Sequence, residues 1–140
     1  MRKKTSDLSA YQQALGLLVR REHSQRELKQ KLKFRGKEAE EIDVALESLS
    51  RQDFQNDERF AFALARSRQS AGYGPQRIRA EMQQHSLGSE LIEQAVSALE
   101  CDWLEMAQGL VARRYLRKIQ QAPNQSRKAV DFLLRRGFDQ

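Results

Sequence analysis

Apolar residues recur along this chain at the i, i+3, i+4 spacing of amphipathic helices, and the spacing itself repeats. Residues 24–49 set beside 74–99, an offset of fifty, align without a gap. Leu28 then meets Ile78, Leu32 meets Met82, Ile42 meets Ile92, Ala45 meets Ala95, Leu46 meets Val96 and Leu49 meets Leu99. Polar residues between these positions are freely exchanged. A unit reused at a fixed period near fifty predicts an all-α chain, an elongated tandem array of three-helix repeats.

The elements follow from the pattern. A first helix spans 10–21 after Ser9 as cap, with Tyr11, Ala14, Leu15 and Leu18 inward; helices at 25–35 and 38–52 complete a unit. Asn56 caps the next helix, with Asp57 and Glu58 in its first turn and Phe60, Ala61, Leu64 and Ala65 inward. After Gly72-Tyr73-Gly74 come helices at 75–85 and 89–100. A long helix at 102–119 turns Trp103, Met106, Ala107, Leu110 and Val111 inward, and a polar linker covers 120–124. The last helix, 125–136, presents Ala129, Val130, Phe132 and Leu133. Ser24-Gln25-Arg26-Glu27 spells a capping box, and Gly74-Pro75 places proline at a first helical position. Gly36 and Gly88 are expected as left-handed caps, with Gly137 at the place of Gly36. The organisation read from these signals is a basic arm at 1–8 and repeats at 9–53, 54–101 and 102–140, the third without its last helix.

Charge adds to this picture. The net charge is +6 and the pI about 9.8, which favours a polyanionic partner. It alternates with the repeat: residues 1–35, 36–60, 61–88, 89–106 and 107–140 carry +7, −5, +3, −5 and +6. Basic side chains therefore gather on first and second helices, acidic ones on third helices. One arginine closes the same pattern three times, in Ala14-x-x-Leu17-Leu18-x-x-Arg21, Ala61-x-x-Leu64-Ala65-x-x-Arg68 and Ala107-x-x-Leu110-Val111-x-x-Arg114. The candidate partner- and DNA-binding residues are Arg20, Arg21, Arg26, Lys29, Lys33, Arg66, Arg68, Tyr73, Arg77, Arg79, Arg113, Arg114, Arg117, Lys118, Arg127, Lys128, Arg135 and Arg136. Stacked units would line them into a stripe for phosphates or acidic protein surface, with planar arginine forks on carboxylates. Alternatively each charge solvates a helix back, and the repeated arginines pair with acidic third helices. Tyr73 is either a stacking platform or a half-buried turn residue.

Chemistry has little to stand on. His23 and His85 have no Cys or His at metal-ligand spacing, and neither a phosphate-cradling Gly-rich loop nor a nucleophile elbow occurs. No enzyme, cofactor or metal is expected. No apolar run reaches membrane-spanning length and no secretory h-region follows the basic start. The lone Cys101 fits a reducing cytoplasm, and nothing demands more than a monomer.

Four motifs in order carry a resemblance: Arg20-Arg21-Glu22-His23-Ser24 with Glu27-Leu28, Asp57-Glu58-Arg59-Phe60-Ala61, Gly72-Tyr73-Gly74-Pro75 with Arg77-Ile78, and Phe132-Leu133-Leu134-Arg135-Arg136-Gly137-Phe138. Together they resemble the RecX family, small bacterial modulators of the RecA recombinase, over essentially the whole chain. The resemblance implies three tandem three-helix units in a curved molecule that binds in the groove of the RecA–DNA filament. It also implies inhibition of ATP hydrolysis, strand exchange and coprotease activity, and so a role in DNA repair, recombination and the SOS response. DNA contact by itself is expected to be weak and electrostatic. One departure is that the family usually continues past Arg-Arg-Gly-Phe into a further helix.

Overall fold

The structure, a computed structural model, describes residues 8–115 and 125–139. Among the described residues there are eight helices and no strand: α1 (Ala10–Arg20), α2 (Gln25–Phe34), α3 (Ala39–Arg51), α4 (Asp57–Ser70), α5 (Pro75–Gln84), α6 (Ser89–Ser97), α7 (Trp103–Arg114) and α8 (Gln125–Arg135). The expected arm up to Asp7, the linker at 120–124, and Arg117 and Lys118 lie outside the described residues. The chain divides into two compact units, Met1–Ala61 and Phe62–Gln140.

In the first unit α1, α2 and α3 close on one core. Ala10, Ala14 and Leu17 meet Leu28, Leu32, Ile42, Ala45, Leu46 and Leu49, all buried. The face of α1 is turned by a residue from the expected one: Tyr11, Leu15 and Leu18 are only partly buried at its margin. Ser9 caps α1 with a full capping box, its hydroxyl accepting from Gln12 N–H while Gln12 returns to Ser9. The expected box at Ser24 is only half made. Ser24 accepts from Glu27 N–H at 3.0 Å, but the Glu27 carboxylate does not reach back, because Arg21 and Lys31 hold it.

The second unit repeats the scheme. Ile78, Met82, Ile92, Ala95 and Val96 are buried at the positions the offset predicts, while Leu99 is half-buried because α6 stops at Ser97. The left-handed cap departs from expectation. Gly36 has φ +83°, but Gly88 has φ −67° and simply precedes α6; the left-handed residue is Ser86, at φ +60°. Ser86 is the offset-fifty partner of Gly36, so helix register places the strained position, not the nearest glycine. Further on, no residue of α7 is fully buried, and its intended inner face is half-buried. Tyr115, Ala129 and Phe132 form a small core with Leu110, Val111 and Leu133. Val130, expected inward, is 42% exposed and lines an apolar groove of about 500 Å³ with Trp103, Leu104 and Leu134.

Backbone contact joins α5 to the end of α8. Gly74 N–H donates to Arg136 C=O at 2.7 Å and Gln76 N–H to Gly137 C=O at 2.9 Å. Pro75 has no N–H to place, so the next orphan donor of α5 is capped by the Gly137 carbonyl. Gly137 holds φ +97°, and a Cβ there would collide with the Arg77 backbone nitrogen.

Candidate binding surface

Each of the three repeated arginines contacts the second helix of its own repeat. Arg21 forks onto Glu27 of α2, with Nη1 donating to Oε1 at 3.2 Å and Nη2 to Oε2. Arg68 forks onto Glu81 of α5, Nε to Oε2 at 2.7 Å and Nη2 to Oε1 at 2.6 Å. Arg114 pairs with no carboxylate among the described residues; its guanidinium lies over the Phe132 ring of α8, 4.8 Å from the centroid. The partner each time is the second helix of the repeat, rather than the acidic third helix. The hydrogen bonds from Arg68, the largest influence, hold the Glu81 carboxyl below its ordinary range and raise Arg68 in return. At Glu27 burial pushes upward, and the Arg21 fork with the charges of Arg21, His23 and Lys31 outweighs it, so that carboxyl too is depressed.

Other candidates are tied as well. Lys29 pairs with Asp43 at 3.7 Å and Arg79 with Glu93 at 2.8 Å, and both partners obey the offset of fifty, joining second helix to third in each repeat. Tyr73 is half-buried beneath guanidinium groups, Arg77 at 4.0 Å and Arg136 at 5.1 Å from its centroid, so its ring already has cationic partners. Arg136 also donates to Ala71 C=O at 2.9 Å. Arg20, Arg26, Lys33, Arg66, Arg113, Arg127, Lys128 and Arg135 are exposed. Arg21 and Arg114 are exposed as well, so these outward cations and two of the repeated arginines share the accessible positive charge.

Two of the sequence motifs meet in a network that the sequence reading missed. His23 is 2% exposed; its Nδ1 donates to Arg21 C=O at 3.0 Å, leaving Nε2 to accept from the Lys31 ammonium at 3.1 Å. Burial is the main cause that lowers its pKa, with the Arg21 and Lys31 charges adding and the Arg21 carbonyl and Glu27 opposing. Buried Gln55 donates to His23 C=O at 3.4 Å and to Asp57 Oδ1 at 2.9 Å, and Gln25 N–H donates to that same oxygen at 2.9 Å. Arg59 bridges Glu22 and Asp53, 3.0 Å to each. Asp57 therefore caps α2 as well as suiting the dipole of its own helix. The signal was present: Arg20–Ser24 and Asp57–Ala61 hold complementary charges. Among the described residues no group of His, Cys, Asp and Glu could hold a metal ion.

Fold and surface together define an all-α protein of tandem three-helix domains that presents charge on its helix backs. Residues 10–49 match the family model of the RecX first three-helix domain, and residues 56–96 that of the second. The chain belongs to the RecX family. It is 48% identical over 128 residues to the regulatory protein RecX of Xanthomonas axonopodis pv. citri (strain 306), covering 91% of this chain and 79% of that one. Identity to the regulatory protein RecX of Stenotrophomonas maltophilia (strain R551-3) is 50% over 128 residues, covering 91% and 78%. A crystal structure of regulatory protein RecX superposes with a TM-score of 0.78 at 24% identity, covering 93% of this chain and 66% of the other. That of RecX from Lactobacillus salivarius gives 0.77 at 22%, covering 93% and 86%. The two structures speak to the fold.

Proposed function

We propose that this chain binds the filament that RecA forms on DNA and inhibits its ATPase, strand-exchange and coprotease activities, restraining recombination, repair and the SOS response. The observation that carries the reading is the match along 91% of the chain to proteins named regulatory protein RecX. Outward cations supply attraction to a polyanionic filament, and restraint comes from occupancy without chemistry of the chain's own. One chain, acting as a monomer in the cytoplasm, engages neighbouring subunits and hinders their relative movement during ATP turnover. Phosphates of the DNA add a weak, salt-dependent share. The exposure of those cations also favours a second reading, a helical nucleic-acid-binding protein that acts through charge alone.

Retention of the chain on RecA–DNA filament and on bare DNA at one salt concentration separates the two, with RecA ATPase titrated in parallel. Preferential retention on filament with inhibition is expected. Equal retention on both, with ATPase untouched, would overturn the proposal in favour of the second reading.

A further inference from the structure

We propose that Phe34, with Lys33 and Arg35 beside it, is a stacking platform for an unpaired base of single-stranded DNA. Phe34 closes α2 and is 94% exposed, more than any other large apolar side chain among the described residues. The fold does not ask for it. Leu28 and Leu32 already supply the buried face of α2, and the offset-fifty partner of Phe34 is Gln84, exposed at the end of α5. An unburied phenyl ring at a position where the same fold is content with glutamine gains nothing from packing, so its use lies with a partner.

Charge selects that partner. In the second repeat the flanking residues are Gln83 and His85; around Phe34 they are Lys33 and Arg35, both exposed. Among the described residues neither has an ion pair, whereas the nearby carboxylates of Glu27 and Asp43 are engaged by Arg21, Lys31 and Lys29. Glu38, Glu40 and Glu41 follow beyond the Gly36 turn, at the start of α3, where the helix dipole suits them. Lys37 donates to the carbonyl of Leu8, which tethers that end of the chain three residues past Phe34. An aromatic face between two unpaired cations fits alternating bases and phosphates: the ring stacks on a base of any identity, and the cations neutralise the flanking phosphates.

The inference rests on the DNA-contact part of the function proposed above, and its test uses this chain without RecA. The unaltered chain, Phe34→Ala and Phe34→Trp are titrated by anisotropy against oligothymidylate and against an abasic strand of equal length, at one salt concentration. Phe34→Ala is expected to weaken the oligothymidylate complex roughly fivefold or more and to leave the abasic complex nearly unchanged. Phe34→Trp keeps affinity, and its emission is quenched by oligothymidylate beyond any change from Trp103. Equal loss on both strands, no loss on either, or no measurable oligothymidylate binding by the unaltered chain each overturns the proposal. So does a Phe34→Ala chain that binds oligothymidylate normally yet fails to inhibit RecA, since that identifies a protein anchor. Base stacking without any effect on RecA leaves this inference standing and removes the filament reading. At so exposed a site an unchanged melting temperature checks that the variants are folded.

Discussion

His23 is the residue whose protonation the fold resists most directly. Burial disfavours its charge, and its free nitrogen already accepts from the Lys31 ammonium, so an added proton would set two cations together. Its folded pKa lies below the ordinary 6.5, and between the two values the unfolded chain holds more protons. Stability is therefore full above about pH 6.5 and declines as pH falls toward the depressed folded value. Denaturant midpoints from pH 7.5 down to 5.5 should show this slope, and His23→Gln should flatten it; a slope unaltered by the substitution would assign it to other groups. Arg68 poses a second question at this scale. The sequence offers its guanidinium a phosphate, a carboxylate of the filament or an acidic third helix, and the structure has it forked on Glu81 of the second helix. Arg68→Ala should cost about 1–2 kcal/mol, reduced from a fully buried charge-assisted pair by its partial exposure, and Arg68→Lys should recover only part. Chemical denaturation reads both, and a Lys variant as stable as the parent would make the second hydrogen bond irrelevant.

Elements hold together through few residues, which makes each count. Among the described residues the core shared by α1, α2 and α3 has nine buried apolar side chains, three of them alanine. Leu46 is 3% exposed among them, and Leu46→Ala should lower stability by about 2–5 kcal/mol in a thermal or denaturant melt. The contact of α5 with the end of α8 depends on backbone approach instead. Gly137→Ala brings a Cβ against Arg77 backbone atoms and a φ of +97° that L side chains avoid. About 2–4 kcal/mol of destabilisation follows, combining a left-handed penalty with overpacking. Amide exchange should quicken at Gln76, whose N–H donates to the Gly137 carbonyl. Unchanged protection there would mean that the Gly137 carbonyl does not hold that end of α5.

Across the molecule, what was legible in the sequence is what local periodicity controls. Offset-fifty pairing found Leu28 with Ile78 and Leu32 with Met82, because an apolar face at helical spacing needs only its own helix to declare it. Ser86 was missed because register, not composition, decides where the chain turns left-handed. The equivalence of the arginines at 21, 68 and 114 was legible, but their second-helix partners were not, since what a guanidinium reaches depends on which side chain the next helix brings near. Their engagement changes how net charge +6 should act on a polyanion. A cation in a carboxylate pair contributes less local attraction than one facing water. Salt dependence of single-stranded DNA binding measures that difference, since each phosphate neutralised adds about 0.7 to the slope of log affinity against log salt. Arg66, Arg113 and Arg127 are exposed and have no ion pair among the described residues, so each change to Gln should lower the slope by an amount approaching that value where it meets a phosphate. Arg79, paired with Glu93, and Arg68, paired with Glu81, should lower it by clearly less. The comparison uses the slope rather than the affinity because a loss of stability leaves the slope of the folded fraction unchanged. Equal slope changes at paired and unpaired positions would mean that DNA opens the internal pairs, and would return Arg68 to the binding surface.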